Sequence, residues 1–117
     1  MLVTKEFTFD AAHNLPNYHG KCERLHGHTY RLQVTIDAPI DPETGMALDF
    51  VLLGELVQRE VIDALDHRYL NDIIPISSAE NVVLWMWARL REKLRHARLA
   101  ELRLWETPTS SVTYRGE

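Results

Sequence analysis

Apolar and polar side chains alternate from Val3 to Ala12, with Val3, Phe7 and Phe9 set against Thr4, Glu6 and Thr8. That period of two predicts a β-strand ending at His13. Pro16, Asn17, Gly20 and several charged residues then mark a loop from Asn14 to Leu25. The alternation resumes from Thr29 to Ala38, where Leu32, Val34 and Ile36 face away from Arg31, Gln33, Thr35 and Asp37. This is the pattern of a strand with one wet face, and the two strands predict a hairpin with a long connection. Pro39, Asp41-Pro42 and Thr44-Gly45 make a turn, after which Asp49 is placed to cap a helix. Leu52, Leu53, Leu56, Val57, Val61, Ala64 and Leu65 recur there at helical spacing, and the helix stops near Asp66-His67. Ser77-Ser78-Ala79-Glu80 reads as a capping box opening a second helix, whose apolar stripe is Val82, Val83, Trp85, Met86, Leu90 and Leu94. Two further strands, Ala100 to Glu106 and Val112 to Arg115, flank a hydroxyl-rich turn, Thr107 to Ser111.

The order β-β-α-α-β-β predicts an α+β fold in which two helices cover one face of a four-stranded antiparallel sheet. The uncovered face and the free edges call for closure, which self-association into a larger sheet or barrel would supply. At 117 residues the chain is expected to form a single domain, residues 1–117. No apolar run approaches the roughly 20 residues that cross a bilayer. No basic stretch followed by an apolar one marks a secretory signal at the N-terminus, so a cytoplasmic location without membrane contact is expected. The net charge of −4 argues against a general nucleic-acid surface. A single cysteine excludes an intrachain disulfide and leaves a small buried hydrophobe or a reactive group.

Position gives that cysteine weight. Cys22 is followed by His26-Gly27-His28, and two imidazoles two residues apart on a pleated ribbon point the same way. Any single His-x-His also fits a pair of surface histidines. Here His13, at the end of the neighbouring strand, supplies a third imidazole, and three histidines with an open position are a usual catalytic zinc arrangement. Cys22 either closes the tetrahedron as a fourth ligand, making the site structural, or stands near the metal as a thiolate base. Its four-residue separation from His26 on an irregular loop favours the second. Asp66-His67 pairs a carboxylate with an imidazole, a common way to orient a proton-transfer group, although a helix C-terminus also attracts histidine for dipole reasons. Glu106, closing a strand, could accept two parallel N–H donors from a heterocycle edge. His19 and His96 carry no functional expectation, and the three tryptophans read as core or subunit contacts.

Taken together, His13 after Phe-Asp-Ala-Ala, Cys22-x3-His26-Gly27-His28, Leu48-Asp49-Phe50, Leu65-Asp66-His67-x-x-Leu70-Asn71, Ser78-Ala79-Glu80-Asn81 and Glu106-Thr107 resemble the 6-pyruvoyltetrahydropterin synthase family, in its order and over nearly the whole chain. The three-residue gap after the cysteine resembles the bacterial 6-carboxy-5,6,7,8-tetrahydropterin synthase branch, which serves 7-deazaguanine and queuosine biosynthesis. The resemblance implies the tunnelling fold, in which the sheets of several copies join into a barrel. It also implies a homo-oligomer, a trimer or a hexamer of two trimers, with active sites at subunit interfaces. On the same ground His13, His26 and His28 would hold Zn²⁺, Cys22 would be the general base and Asp66 with His67 its proton-relay partner. Glu106 would anchor the pterin ring, with Ser78 and Glu80 on the substrate side. The departure is Ala79, which follows Ser78 near where the family has a threonine. The implied reaction converts 7,8-dihydroneopterin triphosphate to 6-carboxytetrahydropterin, acetaldehyde and triphosphate. The alternatives are triphosphate elimination without loss of the side chain, as in 6-pyruvoyltetrahydropterin synthase, and an oligomeric structural-zinc module without turnover.

Overall fold

The computed structural model describes residues 1–16 and 18–117; Asn17, expected in the loop, lies outside them. Strand β1 (Leu2–His13) pairs antiparallel with β2 (His26–Asp37), in a register that sets Phe9 opposite Tyr30, Ala11 opposite His28 and His13 opposite His26. Helix α1 (Phe50–Val57) begins at Asp49, whose carboxylate accepts the Val51 N–H at 2.8 Å. It passes through a π-turn (Gln58–Ile62) into the short α2 (Asp63–Leu65). A π-turn admits one extra residue, and Val57, Val61, Ile62 and Leu65 all stay buried across it. After β3 (Arg68–Tyr69) comes α3 (Ala79–Lys93), capped by the Ser78 hydroxyl accepting from the Asn81 N–H at 3.2 Å. Strands β4 (Arg98–Thr107) and β5 (Ser110–Tyr114) end the chain.

The sheet has five strands in the order β3-β1-β2-β4-β5, one more than the sequence pattern predicts. The additional strand is two residues of parallel pairing, Ala11 with Arg68 and Ala12 with Tyr69. A two-residue strand has no alternation for a sequence to display. Two other boundaries move. Strand β2 starts at His26 rather than Thr29, so both histidines of the His-x-His pair are strand residues with a shared face. Most of the hydroxyl-rich segment is strand too, and the turn shrinks to Pro108-Thr109.

One face of the sheet is the core. Phe9 and Ala11 of β1, Tyr30, Leu32, Val34 and Ile36 of β2, and Leu102 and Leu104 of β4 are buried against Leu53, Val57 and Leu65 and against Val82, Met86 and Leu90 of α3. Each such side chain contributes about 1.5–3 kcal/mol through burial. The opposite face carries Thr4, Glu6, Thr8, Asp10, Thr29 and Arg31, all exposed. His13, 1 % exposed, and Ser77, 0 % exposed, are two of the few polar residues in the core. They lie at the end of the sheet where β1 and β2 meet the loop between them.

Candidate functional site

The strand register brings the three imidazoles together. His13 and His26 are cross-strand partners, His28 lies two residues further along β2, and the ring centroids are 4.7 to 5.1 Å apart. Each ring offers a nitrogen within 4.8 Å of those of the other two. Backbone carbonyls set the tautomers. His13 Nδ1 donates to the Ser77 carbonyl at 2.8 Å and His26 Nδ1 to the Arg24 carbonyl at 2.7 Å. A carbonyl only accepts, so the proton sits on Nδ1 and Nε2 is left bare. Burial pushes His28 below its ordinary pKa, as do the neighbouring His13 and His26, while the Glu106 carboxylate pulls the other way.

Glu106 stands over this group at the end of β4. One carboxylate oxygen is 3.9 Å from His13 Nε2 and the other 3.7 Å from His28 Nε2. Both separations exceed a hydrogen bond, and both nitrogens are buried without a partner among the described residues. A bare Nε2 facing a carboxylate leaves two acceptors with no proton between them. A divalent cation satisfies that arrangement, and neutral imidazoles fixed through Nδ1 to backbone carbonyls are the usual ligand set for one. The residues therefore fit a metal ion. Cys22 is half-buried on a one-turn 3-10 segment, Lys21–Glu23, and its carbonyl accepts the Leu15 N–H at 2.7 Å. Its sulfur belongs to no metal-type cluster among the described residues.

Asp66 and His67 lie elsewhere, at the edge of the sheet beyond β1. His67 adopts φ +58°, a left-handed conformation unusual for a non-glycine residue. Its N–H donates to the Asp10 carbonyl at 2.6 Å, while the Asp10 N–H donates to the Asp66 carboxylate at 3.0 Å. That oxygen is also 3.0 Å from His67 Nδ1. The Asp10 N–H, and after it His67, hold the Asp66 carboxyl below the ordinary carboxylate range. Asp10 completes a second close group with the pair, its own carboxylate bonded to the Thr29 hydroxyl. Residue 10 and residue 13 face opposite sides of β1, so the two groups form separate clusters, although Asp10, His28 and His67 line one open cleft.

Ser78 spends its hydroxyl as an acceptor on the helix cap, and Glu80 is exposed in the first turn of α3. The serine that reaches the pocket is Ser77, whose hydroxyl donates to Asn71 Oδ1 at 2.9 Å. Asn71 in turn donates to the carbonyls of Asn14 and Pro75 and accepts the Asn14 N–H. This network pins the residue after His13 and the carbonyl that fixes its tautomer. The signal in the sequence was the doubled serine: one hydroxyl suffices for a cap, which frees the other to turn inward.

A five-stranded sheet backed on one face by helices, with three inward histidines and a carboxylate at its end, defines an α+β protein with a candidate metal centre. The sequence profile of the family described as 6-pyruvoyl tetrahydropterin synthase matches residues 2–117, and the chain belongs to that family. It is 39 % identical to the 6-carboxy-5,6,7,8-tetrahydropterin synthase of Synechocystis, over 97 % of this chain and 92 % of that protein. It is 32 % identical to the enzyme of the same name from Haemophilus influenzae, over 96 % of each. The solved 6-pyruvoyl tetrahydropterin synthase of Caenorhabditis elegans superposes with a TM-score of 0.91 at 28 % identity, covering 100 % of this chain and 96 % of that one.

Proposed function

We propose that the chain is a zinc-dependent 6-carboxy-5,6,7,8-tetrahydropterin synthase that converts 7,8-dihydroneopterin triphosphate and water to 6-carboxytetrahydropterin, acetaldehyde and triphosphate, a step toward 7-deazaguanine and queuosine. The observation that carries it is the pair of buried, unpartnered Nε2 atoms of His13 and His28 facing Glu106. His13, His26 and His28 hold Zn²⁺, which when bound supplies a Lewis acid that makes protons beside a ligated oxygen easier to remove. Cys22 is the base that takes a proton from the substrate side chain. His67, oriented by Asp66, exchanges protons with the ligand. Glu106 accepts the amino and ring N–H edge of the pterin, two parallel charge-assisted hydrogen bonds. Ser78 and Glu80 stand on the substrate side as lesser contributors.

The single domain, residues 1–117, acts as a homo-oligomer, trimer or hexamer, in the cytoplasm. Sheet edges join between copies, and the Asp66-His67 pair of one copy meets the pocket of another. Among the described residues no helix is long and apolar enough to cross a membrane.

A second reading, 6-pyruvoyltetrahydropterin synthase, is favoured by the likeness to the nematode structure. One experiment separates the two. Zinc-loaded protein is incubated with 7,8-dihydroneopterin triphosphate and the products are identified by mass spectrometry. Acetaldehyde with 6-carboxytetrahydropterin is expected, a 6-pyruvoyl product with no acetaldehyde selects the second reading, and unchanged substrate overturns both.

A further inference from the structure

Beneath the histidine pocket lies a polar group that none of these roles uses. Tyr30 is 0 % exposed. Its ring stacks on Phe9, with centroids 4.9 Å apart and planes inclined by 8°, and meets His28 edge-on at 5.6 Å. Its hydroxyl has no hydrogen-bond partner among the described residues. Burying a hydroxyl unpaired costs stability that a phenylalanine in the same space would not incur. The register says where the hydroxyl matters. Arg31 pairs with Trp105, so residue 30, one step on, stands opposite Glu106 on the core face, and both line one cleft of about 440 Å³.

A carboxylate has more acceptor sites than a bound N–H pair can fill. When Glu106 accepts two N–H groups from a ligand edge, each oxygen keeps a lone pair directed back toward the protein. A buried donor there fixes the plane of the carboxylate and offsets its charge. We propose that Tyr30 is a positioning residue whose hydroxyl donates a hydrogen bond to the Glu106 carboxylate when that carboxylate receives the N–H edge of a pterin. The assignment rests on the pterin reading of the site. It makes Tyr30 a contributor to ligand affinity and leaves metal binding to the histidines.

The test is Tyr30→Phe in the full-length zinc-loaded protein, with pterin itself as a fluorescent probe. Zinc content and Tm stay at or above the wild-type values, pterin binding weakens roughly 10-fold, the size of a hydrogen bond to a charged group, and substrate KM rises while kcat holds. In a Glu106→Ala background the same substitution has no further effect on pterin binding, because the group it acts through is gone. Equal pterin affinity in wild type and Tyr30→Phe overturns the assignment alone. A loss that persists undiminished in Glu106→Ala also overturns it, as does a fall in Tm or zinc content with pterin affinity unchanged. Wild-type protein that takes up no pterin overturns the reading of function on which the assignment rests.

Discussion

The histidine pocket and the Asp66-His67 pair hang on the same strand and are built by opposite means. The pocket uses the side chain of His13, turned into the core at 1 % exposure, with partners from β2 and β4 that the sheet register delivers. Backbone carbonyls fix the tautomers of His13 and His26, and the Nε2 atoms of His13 and His28 have no hydrogen-bond partner among the described residues. The pair uses the backbone of Asp10, three residues earlier. Both main-chain groups of that residue are spent on holding an aspartate and a left-handed histidine, whose side chain is 78 % exposed at the sheet edge. The pocket thus gathers within one chain three imidazoles that could hold a metal ion. The pair is an oriented proton donor and acceptor with its working side open to whatever comes against the edge. Cys22 joins neither group among the described residues.

The largest expected effect falls on the enclosed side. His13→Ala opens a cavity in the core and strips the Ser77 carbonyl of its donor, costing about 2–4 kcal/mol. It also removes a metal ligand. Urea unfolding and zinc stoichiometry measure the two effects, and a variant that keeps full zinc would break the idea that the pocket is the metal site. His67→Ala is the contrasting change: it removes an exposed side chain and leaves both zinc and the unfolding midpoint near wild type.

Catalysis should divide along the same line. Cys22→Ala and His67→Ala each keep the metal, and each lowers turnover by about 10²- to 10⁴-fold, the usual contribution of a positioned acid or base. If the active site joins Cys22 of one copy to His67 of its neighbour, unfolding and refolding the two variants together restores roughly one site in four by random assortment. The check is turnover of the refolded mixture against each variant refolded alone. A mixture no more active than its components would show that Cys22 and His67 act within one chain, and the contrast between an enclosed pocket and an open pair would then lose its meaning.

How much of this was legible beforehand depended on the length scale of the signal. The period-two runs of β1 and β2 exposed the strands, and with them the shared face of His26 and His28, because a single sheet face imposes a repeat on many residues. The Asp49 cap was legible for a similar reason: a cap needs a short acceptor at a defined offset from the helix. The capping box read from Ser77 to Glu80 fell one residue early, since Ser78 accepts the Asn81 N–H and the Ser77 hydroxyl turns to Asn71. Strand β3 was not, since two residues carry no period, and its pairing with β1 is a tertiary event. Nor was Asp10, which works through its peptide groups, and any residue type offers those. Ser77 and Asn71 were visible as letters but not as a bridge to His13, because a contact across 64 positions leaves no mark on local pattern. Tyr30 carried no expectation, since only the register with β4 sets it opposite Glu106.

The smallest effect sharpens the comparison from the exposed side. Asp66 has its carboxyl held below the ordinary range in the folded chain, chiefly by the Asp10 N–H and then by His67. A group depressed in this way contributes stability that is present above the ordinary carboxylate value, near pH 3.9, and is lost as pH falls through the depressed one. Asp66→Asn keeps an oxygen for the Asp10 N–H and loses the charge. The variant should therefore be slightly less stable than wild type at pH 7, and the gap should close as the pH falls through the depressed carboxyl's range, where wild-type Asp66 is itself becoming neutral. Denaturant midpoints across that range measure it. The gap stays small because solvent screens an open pair. A gap that persisted unchanged into acid would mean that the shape of the side chain, not its charge, holds the left-handed His67 in place. The edge would then be a backbone device, like the pocket's own carbonyl clamps, rather than an electrostatic one.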